Sequence, residues 1–124
     1  MHILLIEPDR VVADCIVQAF PNECTFSISA TADGAIIQAD KHKPDVVICE
    51  LMLAGHSGTE FLYEFRTYSD WEDIPVVIYT SLPIANSILT ATDWQKLRMN
   101  SIMYKPHTSI AELRNEVLGV ASVV

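Results

Sequence analysis

Short, continuous apolar runs alternate along the chain with stretches whose apolar residues recur every three or four positions. His2 to Ile6 is the first run and has strand character. In the following "EPDRVVADCIVQAF", residues Val11, Val12, Cys15, Ile16, Ala19 and Phe20 fall on one helical face. Asp9 is placed as the N-cap or first-turn acid of that helix, which Pro21 and Asn22 end. "CTFSISA", from Cys24 to Ala30, has the pattern of a second strand. Asp33 and Gly34 start a second helix with Ile36, Ile37 and Ala39 turned inward. It ends at "KHKP", because Lys43 precedes a proline and favours extended backbone.

The third strand is Val46 to Cys49, and "LMLAGHSG" is the loop after it. Ser57 and Glu60 have capping-box spacing and open a third helix carrying Phe61, Leu62 and Phe65. That helix runs out near "TYSDWED", and Ile74-Pro75 leads into strand four, "VVIYTS". Pro83 marks a turn, and Ile84 to Met99 is mostly helical. "SIMY" is the fifth strand, followed by Lys105-Pro106. Ser109 and Glu112 repeat the capping-box spacing ahead of a last helix with Ile110, Leu113, Val117 and Val120 inward.

Strand and helix thus alternate five times. The first, third and fourth strands are almost wholly apolar, as a parallel sheet covered on both faces requires. Crossovers are right-handed and place helices on each face. The expected architecture is an α/β, three-layer, doubly wound domain on a five-stranded parallel sheet.

Composition narrows the class. The 124 residues, half of them hydrophobic, suit one domain whose core needs neither metal nor disulfide. Residues 1–124 hold no repeat or linker-like stretch, so one domain without an attached effector is expected. No apolar run reaches the ~18 residues of a membrane span. "MHILLIEPD" has no basic start and meets acids too early for a signal peptide. Cys15, Cys24 and Cys49 lack metal-ligand spacing and are expected as small core residues, reduced, in the cytoplasm. The net charge of −8 disfavours nucleic acid and anionic lipid but leaves room for a protein partner.

Ligands of such sheets sit at the carboxyl ends of the strands. Those ends carry Glu7, with Asp9 nearby, then Glu50, then Thr80 and Ser81, then Lys105. A lone acid at a strand end is ordinarily a polar boundary or a helix cap. Carboxylates, hydroxyls and an ammonium arriving together from four strands are a site. His2 and His42 are expected at the surface, and no ligand spacing links His56 or His107 to other residues.

"ILLIEPD", "PDVVICELMLAGHSGTEFL", "IPVVIYTS" and "YKPHT" together make the chain resemble the receiver domains of two-component response regulators over nearly its full length. The resemblance implies the CheY-like, flavodoxin-like fold with strand order 2-1-3-4-5 and a cytosolic signalling role. It also implies phosphoryl transfer from a kinase histidine to an aspartate ending strand three. An acidic pair after strand one would hold Mg²⁺, and a strand-four hydroxyl and a lysine would contact the phosphoryl group. By position the acceptor falls on Glu50, the acidic pair on Glu7 and Pro8, the hydroxyl on Thr80 beside Ser81, and the lysine on Lys105. Metal donors, if any, would be Glu7, Glu50 and the Met52 backbone.

Several positions depart from the pattern. Glu50 replaces the acceptor aspartate and Pro8 the metal-binding acid. Ala54 stands where the loop usually has proline, Ile102 stands at an aromatic switch position, and "DWQKLRMN" occupies a longer segment than usual. An extra methylene moves the carboxylate by about 1 Å, a shift worth about a hundredfold in an aligned reaction. Mg²⁺ needs near-octahedral oxygens, and Pro8 offers none. Lys105 then becomes the natural counter-ion of Glu50, with Thr80 a further partner.

The expectation is a non-enzymatic pseudo-receiver acting by phosphorylation-independent contact with a signalling protein. It needs no cofactor, with weak Mg²⁺ binding left open. The alternative is a working receiver, phosphorylated by a histidine kinase on an acid of the Glu7/Glu50 cleft. A phosphatase or flavoprotein on the same fold fits poorly, since the acidic "EPDRVV" would repel a flavin phosphate. The acidic balance and the missing effector domain argue against a DNA-binding regulator. The family's usual contact face, made by the fourth helix, fifth strand and fifth helix, would include Trp94, Arg98, Ile102, Tyr104 and Arg114 and could form a homodimer.

Overall fold

Continuous apolar runs became the central strands. The computed structural model describes residues 1–83 and 96–122. In it β1 (His2–Ile6), β2 (Thr25–Ser29), β3 (Val46–Cys49), β4 (Val76–Thr80) and β5 (Ser101–Tyr104) pair in parallel. The sheet order is β2-β1-β3-β4-β5. β1, β3 and β4 are buried from end to end, so neither of their faces carries polar side chains into water.

Alternation along β1 separates the two cores. Leu4 and Ile6 join α2 (Ala32–Lys41) and α3 (Gly58–Phe65) on one face. Ile3 and Leu5 join α1 (Arg10–Ala19) and the C-terminal helix (Ile110–Ser122) on the other. Truncating one of these fully buried leucines to alanine would cost about 2–5 kcal/mol. No helix among the described residues is long and apolar enough to cross a membrane.

The helix faces are only partly the expected ones, since Val12, Ile16, Phe20, Ile36 and Ala39 pack inward as expected but Val11, Cys15 and Ile37 do not. In α1, Val11 is 71% exposed and Cys15 is exposed, whereas Ala13, Ile16 and Phe20 are buried. Ala13, Ile16, Val17 and Phe20 form the true stripe, at i, i+3, i+4 and i+7. Its first member is an alanine, so the stripe is less conspicuous than the one through Val11 and Cys15. In α2, Ile37 points outward while Ala32, Ala35 and Ala39 are buried. Small side chains bring this helix close to the sheet and leave no room for the larger one. α2 also begins before Asp33, because Thr31 caps it by accepting from the Gly34 amide.

Other expectations change too. Only Cys49 of the three thiols is buried, and Cys24 lies just outside the shorter β2. His2 is buried rather than at the surface, because β2 and α2 close over it. The Ser109–Glu112 box forms with both arms. The Ser57 box has one arm, since the Glu60 carboxylate turns to His56 instead. Of the predicted Ile84–Met99 helix, the part from 84 to 95, with Trp94, lies outside the described residues.

Arg66 anchors the region before β5. Its guanidinium donates to the carbonyls of Leu97 and Arg98 and to those of Trp71 and Glu72. Burial and the nearby Arg98 charge, against a weaker pull from Asp73, bring its pKa down to about 10. Trp71 closes that end of the core, stacked on Phe65 and tilted against Tyr68.

Candidate functional site

Parallel pairing delivers the carboxyl ends of β1, β3, β4 and β5 to one edge. Glu7 directly follows β1, Glu50 directly follows β3, and they are only 4% and 2% exposed. Lys105 directly follows β5 and reaches across to both. Its Nζ donates to Glu7 Oε1 at 2.6 Å and to Glu50 Oε1 at 3.0 Å. One ammonium therefore sits between two buried acids.

The longer side chain of Glu50 folds back over its own loop. Its Oε2 accepts from the amides of Leu51, at 2.6 Å, and Met52, at 3.2 Å. Its Oε1 accepts from both the amide and the hydroxyl of Ser81, each at 3.0 Å, besides Lys105. Burial alone would raise the pKa of this carboxyl. Donors from Thr80, Ser81, Lys105 and Met52 outweigh burial and hold it below the ordinary value. Burial likewise opposes the Lys105 charge, and the two acids overcome it, so its pKa is raised.

Asp9 does not join the cleft. Its carboxylate caps α1 by accepting from the Val11 and Val12 amides, and its own amide donates to Glu7 Oε2. All four oxygens of Glu7 and Glu50 thus have a donor aimed at them. Pro8, exposed and next to Glu7 in the chain, brings no oxygen ligand in its side chain. A divalent cation here would have to displace Lys105 and the amides. Among the described residues no group of three or more His, Cys, Asp or Glu could hold a metal ion.

Thr80 is buried, and its Oγ accepts from the Leu82 amide at 3.0 Å. The Met52 side chain is largely exposed at the mouth, with its sulfur 3.5 Å from Ser81 Oγ. Ile102 pairs in register with Ile78 and packs against the core, so it is wedged rather than free at the surface. Tyr104 is half-buried and meets His107 edge-on, with ring centroids 5.0 Å apart. Arg98 precedes β5 and Tyr104 ends it, so they lie at opposite ends of that strand. Arg98 is exposed and takes a positive φ of 49°. Arg114, on the C-terminal helix, donates to Asn115.

Two contributors carry no obvious mark in the sequence. Gly58 opens α3 so close to the end of β3 that a Cβ there would lie 2.4 Å from the Glu50 carbonyl oxygen and 2.7 Å from Leu51 Cα. Its position in "HSGTE" marks a helix start but not this approach. Tyr79 presents its ring 5.7 Å from Lys105 Nζ, and its hydroxyl donates to the Thr108 carbonyl. Its position inside an apolar strand hides that contact.

Comparison with known proteins agrees with this fold. A family model described as the response regulator receiver domain matches residues 3–118. The regulatory protein VanRB of Enterococcus faecalis is 32% identical over 95 residues, covering 75% of this chain and 41% of that protein. The chain thus spans about two fifths of that relative. A CheY-like receiver domain protein from Methanospirillum hungatei has the same fold. It superposes with a TM-score of 0.84 at 15% identity, over 98% of this chain and 94% of that one. A sensor protein from Polaromonas superposes with a TM-score of 0.86 at 16% identity, over 98% and 96% of the two chains. The receiver-domain model spans nearly the whole chain, and the chain belongs to the response regulator receiver domain family of two-component signalling.

Proposed function

We propose that this receiver domain signals without being phosphorylated. It is a pseudo-receiver, not an enzyme, and acts in the cytoplasm by binding another signalling protein. One observation carries this reading. Glu50, at the acceptor position, already holds Lys105 and Ser81 through a single carboxylate oxygen. The lysine and the strand-four end that would otherwise meet a phosphoryl group are engaged without one. Lys105, in place of a divalent cation, balances the acids, so Mg²⁺ is not required.

A ligand shifts a two-state equilibrium only by its differential affinity for the two states. An internal pair that never leaves has no such leverage, so the protein presents one surface at all times. Ile102 packed in the core fits this, since no aromatic ring there has to swing. The contact face runs from the end of β5, at Tyr104, along the C-terminal helix past Arg114, and serves a protein partner or a second copy of the chain.

The test is an intact-mass measurement after incubation with Mg²⁺ and acetyl phosphate or phosphoramidate, beside a receiver that autophosphorylates. The unchanged mass is the expected result. An adduct of one phosphate that hydroxylamine removes would overturn the reading. The domain would then be a working receiver, with the acceptor in the Glu7/Glu50 cleft and a histidine kinase as its donor.

A further inference from the structure

The opposite end of the sheet holds a second cluster of titratable groups, unrelated to the Glu50 cleft. His2 opens β1 and is only 7% exposed. Its Nδ1 lies 2.6 Å from Thr25 Oγ1 and its Nε2 lies 2.7 Å from Ser27 Oγ, both on the edge strand β2. The ring lies flat on that of His42, with centroids 3.6 Å apart and planes 6° from parallel. His42 is the exposed C-cap of α2. The His2 amide donates to Asp45 Oδ2 at 2.7 Å, and the Asp45 amide donates to the His2 carbonyl at 2.8 Å. One residue thus ties together β1, the edge strand, the end of α2 and the entrance to β3.

A neutral imidazole has one donor and one acceptor nitrogen, and a hydroxyl can serve either. The two hydroxyls of β2 therefore satisfy the ring completely while it is neutral. The charged groups facing it are His42 from α2, Asp45 ahead of β3 and the α-amino group of Met1, while β2 offers only hydroxyls. Burial acts first and opposes protonation, and the His42 and amino charges act the same way. Asp45 favours protonation but is outweighed, so the His2 pKa is lowered. A proton on each ring would put two cations face to face about one ring-thickness apart, half of the pair buried.

We propose that the His2–His42 stack is a pH-operated latch. It holds edge strand β2 and the end of α2 against the floor of the sheet while the buried His2 ring is neutral, and it frees them when that ring is protonated. The sign follows from burial of the neutral form. A histidine whose folded pKa is depressed contributes fully above its ordinary value of 6.5 and loses that contribution as pH falls below it. The working range is therefore mildly acidic, and the element released is the edge strand of the sheet.

The test is an NMR titration of the whole chain from about pH 7.5 to 5, following both imidazoles and the exchange protection of the β2 amides. His2 is expected to titrate below the ordinary histidine value of 6.5. The β2 protection factor should fall about tenfold or more as His2 titrates. Because His42 is exposed, its variants keep the fold. His42→Leu should raise the His2 midpoint by removing the facing charge, and His42→Lys should lower it by making that charge permanent. A His2 midpoint indifferent to both variants, or β2 protection that ignores pH, would overturn the proposal.

Discussion

Lys105 donates to Glu50 across 55 positions of sequence, from the end of β5 to the end of β3, at 3.0 Å. The same ammonium holds Glu7 at 2.6 Å. With side-chain exposures of 18% for the lysine and 2% and 3% for the acids, the triad is shielded from water. Removing its only cation strands two carboxylates in a low-dielectric site. Lys105→Met is expected to lower stability by about 3–5 kcal/mol at pH 7, measured by urea unfolding. Adding Glu50→Gln to that variant should recover part of the loss, because it removes one of the stranded charges. An unchanged urea midpoint in the single variant would show that the pairing contributes nothing.

The pH profile of stability should have two arms. The depressed Glu50 carboxyl contributes fully above its unfolded value of 4.5 and less as pH falls through its lower folded value. The raised Lys105 contributes fully below its unfolded value of 10.5 and less as pH rises through its higher folded value. The thermal unfolding midpoint should therefore drop at pH values below about 4.5 and above about 10.5. Glu50→Gln should flatten the acid arm. An acid arm unchanged in that variant would assign the effect to other carboxylates.

Restoring the family's acceptor should not by itself restore phosphorylation. Glu50→Asp shortens the side chain by about 1 Å and draws it away from Ser81, but Pro8 still supplies no carboxylate for a metal. No acyl phosphate is expected in that variant by intact mass. Glu50→Asp combined with Pro8→Asp should give a Mg²⁺-dependent adduct. An adduct in the single variant would mean that Pro8 is not the limiting departure.

Gly58 should tolerate no side chain. An alanine Cβ would press on the Glu50 carbonyl and Leu51 Cα, both backbone, and would lie 3.2 Å from Cys49 Sγ. Gly58→Ala is expected to cost about 1–3 kcal/mol through overpacking. Calorimetry should show the lowered midpoint. If the alanine chain instead melts like the parent, the loop after β3 is more yielding than its packing implies.

Sequence alone determined the order of elements and the class of fold. Near-continuous apolar runs can be buried only inside a sheet covered on both faces, and that holds whatever the neighbours are. It also showed which chemical groups end each strand, because a strand end is where an apolar run meets its first polar residue. Glu7, Glu50, Thr80 and Lys105 were legible for that reason.

Tertiary structure decided who binds whom. The Lys105–Glu50 pair was expected, but strand register also brought Lys105 to Glu7 and Ser81 to Glu50, over separations of 98 and 31 residues that no local pattern encodes. Asp9, by contrast, takes the local N-cap role that the sequence already indicated, accepting from the Val11 and Val12 amides. Alanines at Ala13, Ala32, Ala35 and Ala39 set how the helices face the sheet, although larger neighbours dominate the hydrophobic pattern. His2 became a buried ring only because β2 and α2 close on it from elsewhere in the chain. Periodicity is a local property and fixes what a segment can become. Partnership depends on how distant segments pack, and only the packed chain settles it.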